Sequence, residues 1–342
     1  MVFHSTIPKL TIAANDVNIV NILLCNDYIV PDRCNNEPFA LRPWEHARLC
    51  AIFWLDYEFI MATILIAGCG DIGVAAGHLL ADDGHDIVGL RRHPPANDNK
   101  IRYIKADLTI SADLEKLDSG FDLVIYILTP DDRNEQSYRN VFELGVANLL
   151  DFFSTNNPDT RFIFISSTSV YGQTHGEWVD EASVTEPANI TGKIILQAER
   201  AFLDHSSSNC IIRFSGIYGR NRSRMLDLVA RGGEVQYQPA YYTNRIHRDD
   251  CVAVLRFLSN RMIAGTALEP VYLASDDDPA AKWDVFNDLA DKLGVERPEK
   301  AILPQGSDQN KRCSNKRLKR LGYEFLYKSY REGYDFIERL DS

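Results

Sequence analysis

Three short stretches of the 342-residue chain carry residue types at spacings that suit a dinucleotide. The first is Gly68-Cys69-Gly70-Asp71-Ile72-Gly73. Five apolar or β-branched residues, Thr63 to Ala67, lead into it, and a helical pattern through Val74, Leu79 and Leu80 follows. In a strand, tight turn and helix of this kind, Gly68 permits the turn, Gly70 lets backbone N–H groups approach a pyrophosphate, and Gly73 lets the helix pack closely on the strand. Asp71 and Ile72 open the helix, whose free N–H groups and positive dipole end face the phosphates. The bland alternative is a glycine-rich structural turn.

The second stretch, Arg91-Arg92, closes a strand about 20 residues after the glycines, where an Asp or Glu would bind the ribose 2′-OH of NAD. Two planar guanidinium forks suit a 2′-phosphate instead. NADP is therefore expected over NAD; two solvated surface arginines are the alternative. The third stretch is Asp107-Leu108, placed after a third strand where such domains hold the adenine, although Asp107 equally suits a turn or a helix cap. Leu128 and Ser166, near the ends of the fourth and fifth strands, complete the expected cofactor set.

Arg245 and His247 lie in Asn244-Arg245-Ile246-His247, before Asp249-Asp250. Arginine pairs well with phosphate, so Arg245 and His247 are candidates for an anionic substrate. The structural alternative makes Asp249 the N-cap of a helix over Cys251 to Leu258 and His247 a satisfied strand-end residue. Arg220, with Arg222 and Arg224, could receive an anionic substrate tail or form a solvated face. Asp180 and Glu181 read as part of a solvated loop, and the basic residues from Lys311 to Arg320 as a solvated helix. The eight histidines show no spacing with carboxylates that would hold a metal, so no metal site is expected.

These residues need a framework to bring them together. Strand patterns cover Thr63 to Ala67, Asp86 to Leu90, Arg102 to Lys105, Asp122 to Leu128, Arg161 to Ser166, Cys210 to Phe214 and Val271 to Ala274. Helical patterns cover Gly73 to Asp82, Ala112 to Leu117, Asn134 to Phe153, Gly192 to Asp204 and Ser223 to Arg231. The alternation predicts right-handed crossovers and a doubly wound parallel α/β sheet, a Rossmann core over 61–215. After Gly216 the alternation breaks. A smaller substrate lobe is expected over 216–342, including helices at Lys282 to Leu293 and Asn315 to Leu321, with strand 271–274 returning to the sheet. Residues 1–60 show no useful period, and Met61 stands directly before the first strand. They read as an extension whose native status is open, either dispensable or an arm packed on the domain or a partner.

With 45% apolar and 25% charged residues, the composition is that of a soluble globular protein. A net charge of −11 argues against nucleic acid or an anionic membrane as partner. The seven cysteines have no metal-ligand spacing, no apolar run reaches membrane-spanning length, and no signal-peptide pattern is present. A cytoplasmic protein with a small-molecule substrate is expected, and a homodimer is left open.

The Gly68–Gly73 turn, Ala106 to Leu108, and Phe162 to Gly172 (FIFISSTSVYG) together resemble the extended short-chain dehydrogenase/reductase superfamily, which contains the nucleotide-sugar epimerases and dehydratases. Arg213 to Gly219, Asn244 to Asp250 and Val271 to Pro279 agree with it. The nearest resemblance is to an atypical YeeZ-like branch, whose TGxxLLxAE segment is echoed by Thr191 to Glu199. The resemblance implies a serine at Ser167 that orients the substrate oxygen, with Ser169 its neighbour. It also implies a general-acid tyrosine and a lysine four residues later, but those positions hold Thr191 and Ile195. A threonine hydroxyl titrates far from neutrality. Lys193 is no simple substitute, because it is turned ~200° along the helix from position 195. Two readings remain: an oxidoreductase or epimerase with a relocated acid, for which Tyr218 and Tyr171 are candidates, and an NADP(H)-binding sensor or scaffold without turnover. A third, an interaction module that has lost its cofactor, conflicts with the intact turn.

Overall fold

The computed structural model describes residues 60–304, 309–335 and 337. Apart from Ile60, the stretch read as an N-terminal extension lies outside the described residues. Seven strands, β1 (Thr63–Ala67), β2 (Asp86–Arg91), β3 (Ile101–Lys105), β4 (Leu123–Tyr126), β5 (Arg161–Ser167), β6 (Cys210–Phe214) and β7 (Val271–Ala274), form one sheet. Their order is β7-β6-β5-β4-β1-β2-β3, and every neighbouring pair is parallel. The chain winds outward from β1 to β3 and then restarts from β1's other side at β4. That reversal opens a crevice at the carboxyl ends of β1 and β4, where ligands bind in doubly wound sheets.

Strand residues alternate between two cores, as the two-residue period of a pleated strand requires. Leu65, Val124, Tyr126, Phe162 and Phe164 face one side, where helices α2 (Val146–Asn156) and α3 (Ile190–His205) cover them. Ile64, Ile66, Ile125, Ile163 and Ile212 face the other, beneath α1 (Asp71–Asp82) and α4 (Arg248–Ile263). The helix expected from Asn134 to Phe153 is interrupted by a π turn over Asn140–Gly145. The buried Tyr126 hydroxyl donates to the Val141 carbonyl at 2.5 Å and fixes the orientation of this turn, which faces the crevice.

A smaller lobe has its own core of Tyr218, Val235, Val285, Phe286, Tyr330 and Tyr334, built around α5 (Lys282–Leu293). More of the chain beyond residue 216 returns to the sheet than β7 alone. Helix α4 packs on α1, where Arg256 and Asn260 both hold Asp83, and Leu318, Tyr323 and Phe325 join the same sheet-face core. The cap of α4 is His247, whose Nδ1 accepts from the Asp249 N–H at 3.2 Å. Asp249 is therefore a first-turn residue and not the cap. Asp250 is buried and accepts from the Tyr323 hydroxyl and from the Leu326 and Tyr327 amides, bracketing the C-terminal segment to the helix.

The basic run from Lys311 also differs from the expected helix. Lys311–Cys313 is a strand paired in parallel with Glu177–Val179, and only Lys316–Arg320 is helical. Glu181 is not solvated either: its carboxylate accepts from the Leu273 N–H on edge strand β7 at 2.9 Å and lies 3.6 Å from Arg317. An edge strand presents unpaired N–H groups, and Glu181 satisfies one of them.

Candidate functional site

A cleft of about 430 Å³ opens at the carboxyl ends of the central strands. Gly68, Gly70, Asp71, Ile72, Gly73, Arg91, Arg92, Asp107, Leu108 and Leu128 all line it, so ten of the residues selected from sequence as cofactor ligands meet in one place. Thr129, Asp131, Asn140, Val141 and Arg222 line it too and were not anticipated in that role. The glycine turn is tied to β2, because the Gly68 and Cys69 amides both donate to the Leu90 carbonyl, at 3.1 and 3.2 Å. Helix α1 then starts at Asp71 with no side-chain cap on Gly70, which leaves its first amides for another acceptor.

The residues present fit a dinucleotide on two observations. Gly68 has φ of +93°, and a Cβ there would sit 2.6 Å from the Ile127 carbonyl oxygen, so the turn needs glycine. Gly70 has φ of −93° with ψ of −148°, outside the usual β and α regions, and the nearest atom to an added Cβ is 3.8 Å away. Its missing side chain leaves room on the cleft side, where a phosphate would meet the backbone.

Arg91 and Arg92 reach the cleft rim by different routes. Arg91 Nη1 donates to the Cys69 carbonyl at 3.1 Å, which holds the guanidinium beside the glycine turn. Arg92 forms a two-point pair with Asp131 at 2.8 and 2.5 Å on the exposed rim. Asp107 accepts from both the Thr109 amide and hydroxyl, at 2.9 and 2.7 Å, so it is a turn residue that also lines the cleft.

Ser166 departs from the expected cofactor role. Its hydroxyl donates at 2.5 Å to Glu199, inside a buried network in which Arg213 grips Glu199 and donates to the Tyr171 hydroxyl at 2.9 Å. Tyr171 donates in turn to the Asp180 carbonyl. Burial raises its pKa despite the opposing Arg213 charge. Tyr218 is buried in the lobe core, where its hydroxyl donates to the Ser329 carbonyl at 3.2 Å, and burial raises its pKa strongly. Neither tyrosine lines the cleft, and both hydroxyls donate to backbone carbonyls.

Ser167 and Thr191 are brought to one corner beyond the cleft. The Ser167 hydroxyl accepts from the Ser169 amide at 3.1 Å, opening a single 3-10 turn at the end of β5. The start of α3 abuts that turn, since a Cβ on Gly192 would lie 2.8 Å from the Ser169 carbonyl. Thr191 donates to the helix cap Asn189 at 2.9 Å, and Ile195 is buried. Gln309 and the buried Lys311 approach the same turn from the C-terminal segment: Gln309 Nε2 lies 3.5 Å from the Ser169 carbonyl, and Lys311 Nζ lies 3.4 Å from Gln309 Oε1. No sequence signal marked this pair, because Lys311 opens a basic run that reads as solvated.

The expected substrate residues separate. Arg245 is buried in the lobe, bonded to Thr243 and lying 5.0 Å over the Tyr330 ring, so it is not available to a phosphate in the cleft. Its neighbour Asp276 is also buried, with one carboxylate oxygen lacking a hydrogen bond. His247 and Arg220 instead line a second pocket of about 290 Å³, together with Arg248, Asp249 and Tyr327. The His247 ring lies 3.8 Å from that of Tyr327, and burial lowers its pKa.

The model of the NAD dependent epimerase/dehydratase family matches residues 64–252. The chain belongs to that family. A Methylobacillus flagellatus structure assigned to the NAD-dependent epimerase/dehydratases is 32% identical, with a TM-score of 0.68, covering 82% of this chain and 99% of that one. A conserved protein of unknown function from Silicibacter pomeroyi is 24% identical over 82% of this chain and 98% of its own, at a TM-score of 0.63. The dTDP-glucose 4,6-dehydratase of Bacillus anthracis, solved in complex with NAD, shares the fold at 14% identity, with a TM-score of 0.65 and coverage of 82% and 96%. No curated protein matches the sequence. Among the described residues no helix is long and apolar enough to cross a membrane.

Proposed function

We propose that the chain binds NADP(H) in the 430 Å³ cleft and acts as an oxidoreductase or epimerase on an anionic, nucleotide-sugar-like alcohol or carbonyl. The observation that carries this reading is the open face of Gly70 above an uncapped helix start, in a cleft that also gathers Arg91 and Arg92. The α1 amides would hold the pyrophosphate, Leu108 and Leu128 the apolar parts of the cofactor, and Arg91 and Arg92 the 2′-phosphate. When bound, the nicotinamide supplies a hydride acceptor or donor. Ser167 and Thr191 lie where the end of β5 meets the start of α3, and their hydroxyls orient a substrate oxygen by hydrogen bonding.

A second reading, an NADP(H)-binding sensor or scaffold without turnover, is favoured by one set of observations. The resemblance puts Thr191 and Ile195 at the positions where the family's working enzymes carry tyrosine and lysine, and the hydroxyls of Tyr171 and Tyr218 are both tied to backbone carbonyls. Mixing the full chain with NADPH and a panel of nucleotide sugars and small carbonyls, while following nicotinamide absorbance, separates the two. Turnover that falls in Ser167→Ala supports the enzyme; saturable NADPH binding with no absorbance change across the panel supports the sensor.

A further inference from the structure

Asp71, the first residue of α1, has its carboxylate held by two arginines that come from beyond the glycine turn. Arg248 donates to Oδ1 at 3.0 and 2.8 Å, and Arg222 donates to Oδ2 at 2.9 Å. Burial would raise the Asp71 pKa, but these two guanidiniums hold it below the ordinary carboxylate value. A carboxylate in the first turn stabilises a bare helix N-terminus, yet it also opposes any second anion at the same amides. Two guanidiniums offset the Asp71 charge, and with Asp249, which pairs with Arg248, the four side chains sum to zero, so Asp71 no longer opposes a second anion beside the first turn of α1.

The two arginines are not equivalent. Arg248 faces the second pocket and also pairs with Asp249 at 3.0 Å, so its donors are spent on protein. Arg222 lines the cleft itself, and its Nε is buried without a hydrogen-bond partner. Its position is built in. The Arg222 amide closes a turn onto the Gly219 carbonyl at 3.2 Å, with Gly219 at φ +132° and Asn221 at φ +63°, the left-handed region that Gly and Asn tolerate. An unmet buried donor such as the Arg222 Nε is costly, while the rest of the side chain, one-third exposed, is open to a further acceptor on the cleft side.

We infer that Arg222 is a cofactor ligand: a guanidinium delivered after the sixth sheet strand that donates to the dinucleotide pyrophosphate, with Asp71 as the residue that positions it. This rests on the dinucleotide reading above and adds to it a ligand outside the glycine turn and the Arg91–Arg92 pair. The pyrophosphate is thereby held from both sides, by the α1 amides and by the Gly219–Arg222 turn, while Arg248 keeps Asp71 neutralised.

The test titrates NADPH, ADP-ribose and 2′-AMP into the full chain and into Arg222→Gln and Arg222→Lys, with the thermal midpoint of each unliganded variant measured alongside. ADP-ribose carries the pyrophosphate alone, and 2′-AMP carries the 2′-phosphate alone. The inference expects Arg222→Gln to weaken NADPH and ADP-ribose by about 10- to 100-fold, the range for one charge-assisted hydrogen bond. It expects 2′-AMP to bind unchanged, Arg222→Lys to fall between, and the salt dependence of NADPH binding to drop by about one charge. Wild-type binding with an unaltered Arg222→Gln overturns the Arg222 assignment and leaves the dinucleotide reading standing. Equal loss of all three ligands also overturns it, since that marks a general disturbance of the cleft. Failure of the wild-type chain to bind any of the three overturns the dinucleotide reading and this inference with it.

Discussion

Arg213 and Glu199 form a two-point ion pair inside the protein, with Nε and Nη2 of the arginine donating to the two carboxylate oxygens at 2.9 and 2.6 Å. The pair fastens β6 to α3, the helix that begins at the Thr191 corner, and both side chains are almost fully buried. Breaking a buried pair from one side leaves a charge without compensation, at about 3–5 kcal/mol. Glu199→Gln and Arg213→Met are each expected to lower the unfolding free energy by that order. The double variant should recover much of the loss, because no lone charge remains. Urea unfolding of the three variants checks this, and single variants within about 1 kcal/mol of wild type would contradict it.

Gly70 separates folding from binding. Its added Cβ would meet nothing nearer than 3.8 Å, so Gly70→Val should stay folded, with a thermal midpoint lowered by a few degrees for its ψ of −148°, while losing dinucleotide binding. Gly68→Ala is expected to behave differently: the strained φ of +93° and the contact with the Ile127 carbonyl make it a stability variant. Calorimetric scans and NADPH titrations on both variants distinguish the two effects.

Asp131 neutralises Arg92 on the cleft rim. If that guanidinium serves a 2′-phosphate, Asp131→Asn should tighten NADPH binding several-fold and leave NADH unchanged. Arg91→Gln with Arg92→Gln should weaken NADPH by about 10-fold or more, again with little effect on NADH. Parallel titrations with both cofactors read this directly, and equal changes for the two would remove the arginines from 2′-phosphate recognition.

Burial raises the Asp276 pKa to about 8, against the opposing pull of Arg245. An unfolded aspartate titrates at about 3.9. Between these values the folded chain binds more protons than the unfolded one, so this group makes stability fall as pH rises from about 4 to 8, by at most ~1.4 kcal/mol per pH unit. Asp276→Asn should flatten that slope. Urea midpoints at four pH values across the window provide the comparison, and parallel slopes for variant and wild type would contradict the assignment.

Much of the framework was legible because its signals are local. All seven sheet strands follow from short apolar runs between turn residues, and the glycine turn with Arg91, Arg92, Asp107 and Leu108 converges as read. What escaped depends on tertiary partners. The π turn at Asn140–Gly145 includes the Val141 carbonyl, which is gripped by Tyr126 on a distant strand. Lys311 opens a basic run, but pairing with Glu177 draws its segment into a strand and buries it. Ser166 and Tyr218 occupy plausible positions by spacing, yet their hydroxyls turn toward Glu199 and Ser329, which no one-dimensional pattern states. In the sequence Arg222 is one of three clustered arginines, and its bond to Asp71 appears only once the chain after β6 is folded back over α1.

The cleft above α1 is proposed as a dinucleotide site whose cofactor is NADP(H). Equilibrium titration of NADPH and NADH into wild type and Gly70→Val, at one salt concentration, tests it most directly. The expected result is saturable binding of one NADPH per chain, tighter than NADH, and no detectable binding to a Gly70→Val variant that remains folded. Binding of neither cofactor by wild type, or undiminished binding by Gly70→Val, would contradict the claim.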